Sequence, residues 1–189
     1  MRLKIMQVGE PVLREEARAL TPQEIISEET QRLIQDMCET MRDAPGVGLA
    51  APQIGLPLQL AVIEDREDLL KAVPPQELAE KERQPVSFHV IINPEIEKVG
   101  KEEAHFYEGC LSLAGFSAVV RRARRVRVKY LDEHGKAQAV EASGWYARIL
   151  QHEIDHLHGN LYIDTMRSRT FTSLDNWMRF AKGKAISGD

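Results

Sequence analysis

The sequence predicts an α+β fold in which mainly antiparallel sheets pack around one central helix, with a second helix near the N-terminus. Three observations point there. Runs of β-branched residues and helical stretches are interleaved without the regular strand–helix–strand spacing of a parallel sheet. Asp132-Glu133-His134-Gly135 joins two extended runs as a hairpin. A single well-delimited helical stretch, about Gly144 to Leu157, follows that hairpin.

The N-terminal helix begins at Pro22, because Thr21-Pro22-Gln23-Glu24 combines a capping box with proline at the first helical position. It carries Ile26, Leu33, Ile34, Met37 and Met41 on one face and ends before Pro45-Gly46. Leu58–Ile63 and Val86–Ile92 read as strands. The charged segment between them, 64–85, holds Pro74-Pro75 and reads as a surface excursion with short helical turns. Val119–Tyr130 and Lys136–Glu141 are the arms of the hairpin, and Ser143 stands where it can cap the next helix. In the C-terminal tail, 171–189, the stretch Phe171 to Phe180 carries Leu174, Trp177 and Met178 and reads as an amphipathic helix packed on the body in preference to one docked on a partner. A chain of 189 residues suits one domain with a substantial core, 1–189.

Charge and composition exclude more than they indicate. With 29 carboxylates against 25 lysines and arginines, the surface as a whole is no nucleic-acid binder, and no specific nucleic-acid partner is expected. The basic run Arg121, Arg122, Arg124, Arg125, Arg127 and Lys129 invites a ribosomal RNA partner. A solvated strand facing acidic neighbours accounts for it more simply. No apolar run approaches the ~18 residues of a membrane span, and the first residues form no signal sequence. The expected protein is soluble and cytoplasmic, and the start at Met1 argues against an organellar chain stripped of a transit peptide.

The most informative stretch is Gln151-His152-Glu153-Ile154-Asp155-His156, an H-E-x-x-H motif. Imidazoles four residues apart lie about 40° apart around a helix, so both reach one metal ion, and the intervening glutamate stands where a general base for water belongs. The motif supplies two ligands, whereas a catalytic site normally takes three. A histidine six residues after His156 would be one solution, but that position is Tyr162, and no glutamate follows Glu153. The third ligand is therefore expected upstream. Cys38 lies on the apolar stripe of the N-terminal helix and reads as a buried hydrophobe. Cys110, in Glu108-Gly109-Cys110-Leu111-Ser112, is open on spacing alone between ligand and structural cysteine.

A third pattern, Gly46-Val47-Gly48-Leu49-Ala50-Ala51-Pro52-Gln53, precedes these two. In this order, G-x-G-x-A-A-x-Q, E-G-C-L-S and Q-H-E-x-D-H resemble the three motifs of the peptide deformylases, over most of the chain from Gly9-Glu10-Pro11-Val12-Leu13-Arg14 onward. Gly109–Val120 and Ser143–Leu150 further resemble the mitochondrial-like subclass. The resemblance implies a hydrolase that removes the formyl group from N-formylmethionyl nascent peptides, acting near the ribosomal exit tunnel. It implies Cys110, His152 and His156 as ligands of one divalent metal, Fe2+ in cells, with Zn2+, Ni2+ or Co2+ also accepted by such a donor set. Glu153 would be the base and acid, with the Gln53 amide and the Leu111 backbone N–H as oxyanion donors.

Val47, Gly48, Gly109, Trp145 and Ile149 would line the substrate site, with Trp145 narrowing its mouth. Gly46 and Gly48 also read simply as turn glycines. Arg148, one turn before His152, stands where an apolar wall is expected, and its direction is open. The competing classes are a general zinc-type metallopeptidase, which needs neither Cys110 nor Gln53, and a non-catalytic metal-binding module, which does not need Glu153.

Overall fold

The structure is a computed structural model that describes residues 1–184 and Ile186. Two helices open the chain where one is predicted: α1, Pro22–Ile25, and α2, Glu28–Asp43. The Thr21/Glu24 capping box forms, but Ser27 starts a second helix by accepting from the Thr30 N–H at 3.2 Å. The break moves Ile26 to the surface and leaves Ile25 fully buried.

A five-stranded antiparallel sheet follows, in the order β1 (Gly48–Ala50), β2 (Leu60–Asp65), β3 (Val86–Lys98), β6 (Arg125–Leu131), β7 (Ala137–Ser143). A smaller antiparallel sheet is ordered β4 (Glu103–Glu108), β5 (Phe116–Ala123), β8 (Thr172–Ser173). The run Val119–Tyr130 is thus two strands in two sheets. They part at Arg124, whose N–H leaves the ladder for the Glu102 carbonyl at 2.9 Å. β3 runs beyond its predicted end through a bulge after Ile92, where Asn93 takes φ 49°. Asn93 donates from Nδ2 to the Leu20 carbonyl and accepts from the Leu20 N–H, each at 2.9 Å.

Both faces of the large sheet are covered, which is why β2 and β3 read as continuous apolar runs. By the two-residue period, Leu60 and Val62 face α2 with Met37 and Met41, whereas Ala61 and Ile63 face the next helix with Leu150 and Ile154. That helix is α5, Gly144–Leu157, which touches β1, β2, β3, β5, β6 and β7. The excursion between β2 and β3 carries α3, Glu67–Leu70, and α4, Pro75–Glu80.

The tail differs from one amphipathic helix. Thr172–Ser173 pairs with β5, a single turn α6 (Leu174–Asn176) follows, and a π-helical turn covers Trp177–Ala181. Phe171 stacks on Phe116 and Trp177 packs on Tyr107, while Leu174, Met178 and Phe180 stay exposed. Residues 185 and 187–189 of the predicted tail lie outside the described residues. No helix among those described is long and apolar enough to cross a membrane.

Ser143 precedes α5 but its side chain makes no cap. The first N–H groups of the helix go instead to carbonyls, Gly144 to Arg124 at 2.9 Å and Trp145 to Lys81 at 2.8 Å. Gly144 adopts φ 58°, and a Cβ there would collide with Glu82 Cβ and come within 2.6 Å of the Lys81 oxygen. Gly144→Ala should therefore lower unfolding stability by about 2 kcal/mol or more, as read by urea denaturation.

Candidate metal site

α5 places His152 and His156 one turn apart, their ring centroids 5.0 Å from each other. The loop after β4 brings in the third donor. Cys110 Sγ lies 3.3 Å from His156 Nε2, and the ligand atoms of Cys110, His152 and His156 all fall within 4.8 Å of one another. Cys38 is buried on α2, as its place on the apolar stripe predicts, and is not part of this group.

One carboxylate orients the cluster. Glu108, 5% exposed at the end of β4, lies 3.0 Å from His152 Nδ1, which turns the other ring nitrogen toward Cys110. It is itself held by Arg122 Nε and Nη2 at 2.9 and 3.0 Å and by Arg148 Nη1 at 2.5 Å. Arg122 continues to Asp155 on α5. Burial alone would raise the Glu108 carboxyl, but hydrogen bonds from His152 and Arg122 overcome it and hold the group well below the usual carboxylate range. Burial likewise disfavours charge on His152, yet its bonding to Cys110 and Glu108 pushes its pKa well above the ordinary histidine value. His156 is lowered by burial and by the neighbouring His152.

The direction of Arg148 is now settled. It lines the cavity, and its guanidinium reaches into the small sheet, donating also to the Val120 and Ala104 carbonyls at 3.1 and 2.7 Å. Arg122, grouped by sequence with a solvated basic strand, is buried. Its neighbours Arg121, Arg124 and Arg127 do face acids: Glu103, then Glu82, then Glu97 and Glu141. A signal for Arg122 existed, since it shares the inward face of β5 with Val120, two residues earlier.

Glu153 is 4% exposed, and burial raises its carboxyl to about 7. Its Oε2 is buried without a hydrogen-bond partner among the described residues. Gly48 makes room for it: a Cβ on Gly48 would stand 2.7 Å from Glu153 Cγ. Gly48 thus leaves room for the carboxylate as well as lining the cavity. Gln53 is fixed at its oxygen by the Ala50 N–H at 2.9 Å, which aims its NH2 at Ser112 Oγ, 3.2 Å, and Cys110 Sγ, 3.5 Å. Ser112, fully buried, was missed by sequence reasoning although it belongs to the E-G-C-L-S run. So was Gln7, whose Nε2 donates to the Leu111 carbonyl at 3.0 Å.

A cavity of about 460 Å³ opens onto this group, and all five expected substrate-site residues line it: Val47, Gly48, Gly109, Trp145 and Ile149. Leu111 lines it too. The donor set fits a soft-to-borderline divalent metal: one thiol and two imidazoles, with the Glu108 carboxylate orienting one ring.

The polypeptide deformylase family model matches residues 2–172. The chain belongs to the polypeptide deformylase family. It is 51% identical over 172 residues to the chloroplastic peptide deformylase 1A of Solanum lycopersicum, covering 91% of this chain and 62% of the relative. It is 50% identical over 173 residues to the chloroplastic/mitochondrial peptide deformylase 1A of Arabidopsis thaliana, covering 92% and 64%. The chain thus spans less than two thirds of the length of these plant relatives. Among solved deformylases, the Met-Ala-Ser-bound class I type b structure from Acinetobacter baumannii superimposes with a TM-score of 0.78 at 31% identity, covering 88% of this chain and 99% of that one.

The buried network yields a prediction. Glu108→Gln preserves shape but leaves the Arg148 guanidinium without its counter-charge and Arg122 with Asp155 alone, so stability at pH 7 should fall by about 3–5 kcal/mol. Arg148→Met, which keeps the Arg122–Glu108 pair, should cost less in the same denaturation series.

Proposed function

We propose that this chain is a metal-dependent peptide deformylase that hydrolyses the formyl amide of N-formylmethionyl nascent peptides and releases formate. The observation that carries the reading is the grouping of three candidate metal donors, Cys110, His152 and His156, beside a cavity that Cys110 and His152 line together with the buried Glu153 carboxylate and the Gln53 amide. A divalent metal on Cys110, His152 and His156 would polarise a water so that hydroxide is available near neutral pH.

The remaining work falls to the protein's own groups. Glu153 accepts the water proton and delivers it to the departing amine, for which a carboxyl raised by burial is suited. The Gln53 amide and the Leu111 backbone N–H donate to the oxygen that becomes negative when the formyl carbon turns tetrahedral. Glu108 holds His152 in the tautomer and direction that present its second nitrogen. The methionine side chain enters the apolar part of the cavity between Val47, Ile149 and Trp145.

Ferrous iron is proposed as the working ion from the family resemblance; a thiolate with two imidazoles suits iron, zinc, cobalt or nickel, and affinity alone does not choose among them. A cytoplasmic setting is proposed because both cysteines are free. Ribosome contact through the basic strand is not part of the proposal, since Arg121, Arg122, Arg124 and Arg127 already meet acidic partners.

Incubation with formyl-Met-Ala-Ser, its unformylated form and a blocked internal peptide should release formate from the first and cleave nothing else. Internal cleavage would favour a general metallopeptidase, and metal binding without turnover a non-catalytic module. Glu153→Ala should retain metal by elemental analysis and lose at least ~100-fold in kcat, whereas Cys110→Ala should lose the metal. Protein loaded with iron without air should outperform the zinc form; equal rates would refute the iron assignment.

A further inference from the structure

We propose that Lys81 and Arg83, on the excursion between β2 and β3, set the side-chain selectivity of the cavity by clamping the ring of Trp145 against it. The inference rests on reading the cavity as the formyl-peptide site. Trp145 stands in the first turn of α5 and forms one wall of the cavity. Its indole N–H is buried without a partner among the described residues, so no hydrogen bond at the ring fixes its rotation.

Cations fix it instead. Lys81 Nζ lies 4.7 Å from the ring centroid and the Arg83 guanidinium 5.4 Å, with Phe106 edge-on at 6.4 Å. Both side chains are largely withdrawn from water, 15% and 13% exposed, the condition under which a cation over an indole is held most firmly.

Each cation is anchored in turn. Asp65, whose side chain is fully buried, grips Arg83 through two bonds of 2.8 and 2.9 Å, and Glu77 holds Lys81 at 2.5 Å. The backbone closes the same joint, because the Trp145 N–H bonds the Lys81 carbonyl and Gly144 packs against the Lys81–Glu82 backbone. An excursion whose position suggests surface decoration is therefore bolted to the first turn of the metal helix at the cavity wall.

The other walls named for the methionine side chain, Val47 and Ile149, are β-branched and stiff, so Trp145 is the wall able to move. A held ring admits an unbranched thioether and resists a bulkier aromatic side chain. A released ring relaxes that discrimination.

The test uses a Trp177→Phe background, which leaves Trp145 as the only indole in the chain. Lys81→Met removes one cation while keeping apolar bulk. Arg83→Met is combined with Asp65→Asn so that no buried carboxylate is left unpaired. Each variant and their combination are assayed on formyl-Met-Ala-Ser and formyl-Phe-Ala-Ser, with acrylamide quenching of Trp145 fluorescence measured in parallel. The ratio of kcat/KM values, methionine over phenylalanine, should fall between about threefold and thirtyfold in the combined variant. Quenching should rise with it, and Lys81→Arg should keep the parental ratio.

Equal loss on both peptides, or an unchanged ratio beside increased quenching, overturns the inference and leaves the catalytic reading standing. Unchanged quenching in the combined variant shows that the cations do not hold the ring and overturns it too. Parental enzyme that binds metal yet releases no formate overturns the catalytic reading, and this inference with it.

Discussion

The buried carboxylate of Glu108 is the constraint on which the rest of the structure depends. It sits at the end of β4, at the junction of the small sheet and α5, and takes charge from Arg122 on β5 and from Arg148 and His152 on α5. Two guanidiniums and a carboxylate withdrawn from water are tolerable only when each finds its partners, and removing one member leaves the others stranded. Cys110 follows Glu108 by only two residues, so the interaction that docks the helix on the small sheet also sets the thiol beside His156. Gln151 reinforces the docking by exchanging hydrogen bonds with both backbone groups of Ala123. Fold and site are joined at the same residues.

On its other side α5 must come close to β1, and small residues make this possible. Ala50, Ala61 and Ala147 lie fully buried in the core around the helix, and Gly48 leaves the volume that the Glu153 side chain occupies. Closeness has an electrostatic consequence. With water displaced, the Glu153 carboxyl rises to about 7, a value suited to taking and returning a proton near neutrality. The G-x-G segment thus shapes the base as much as it shapes a cleft.

These relations divide what the sequence revealed from what it hid. The two candidate histidine donors were legible because ligand chemistry demands particular residue types at particular spacings, whereas Cys110 stayed open on spacing and was named only by the resemblance that the three motifs carry together. The central helix was legible within its bounds, since one amphipathic stretch followed a clear hairpin. Boundaries that depend on tertiary partners were not. The break at Ser27 rests on one hydroxyl preferring the Thr30 N–H, and the parting of β5 from β6 rests on Arg124 finding the Glu102 carbonyl. Arg148 was opaque for a similar reason: its partners, Glu108, Val120 and Ala104, are distant in sequence and come together only in the folded chain.

The enclosure of the site bears on which amide it would accept. Gln53 and His156 are each 1% exposed, Glu153 is 4% exposed, and Tyr162 stacks behind His152 at 1% exposure. An internal peptide bond brings a full residue on the acyl side of its carbonyl, and that residue needs space beyond the reacting carbon. A formyl group brings only hydrogen. The candidate metal donors are backed by packed side chains, and Val47, Trp145 and Ile149 bound the open volume in front of them. Burial around Glu153 raises its carboxyl, and under the proposed function the same enclosure would favour the smallest acyl group.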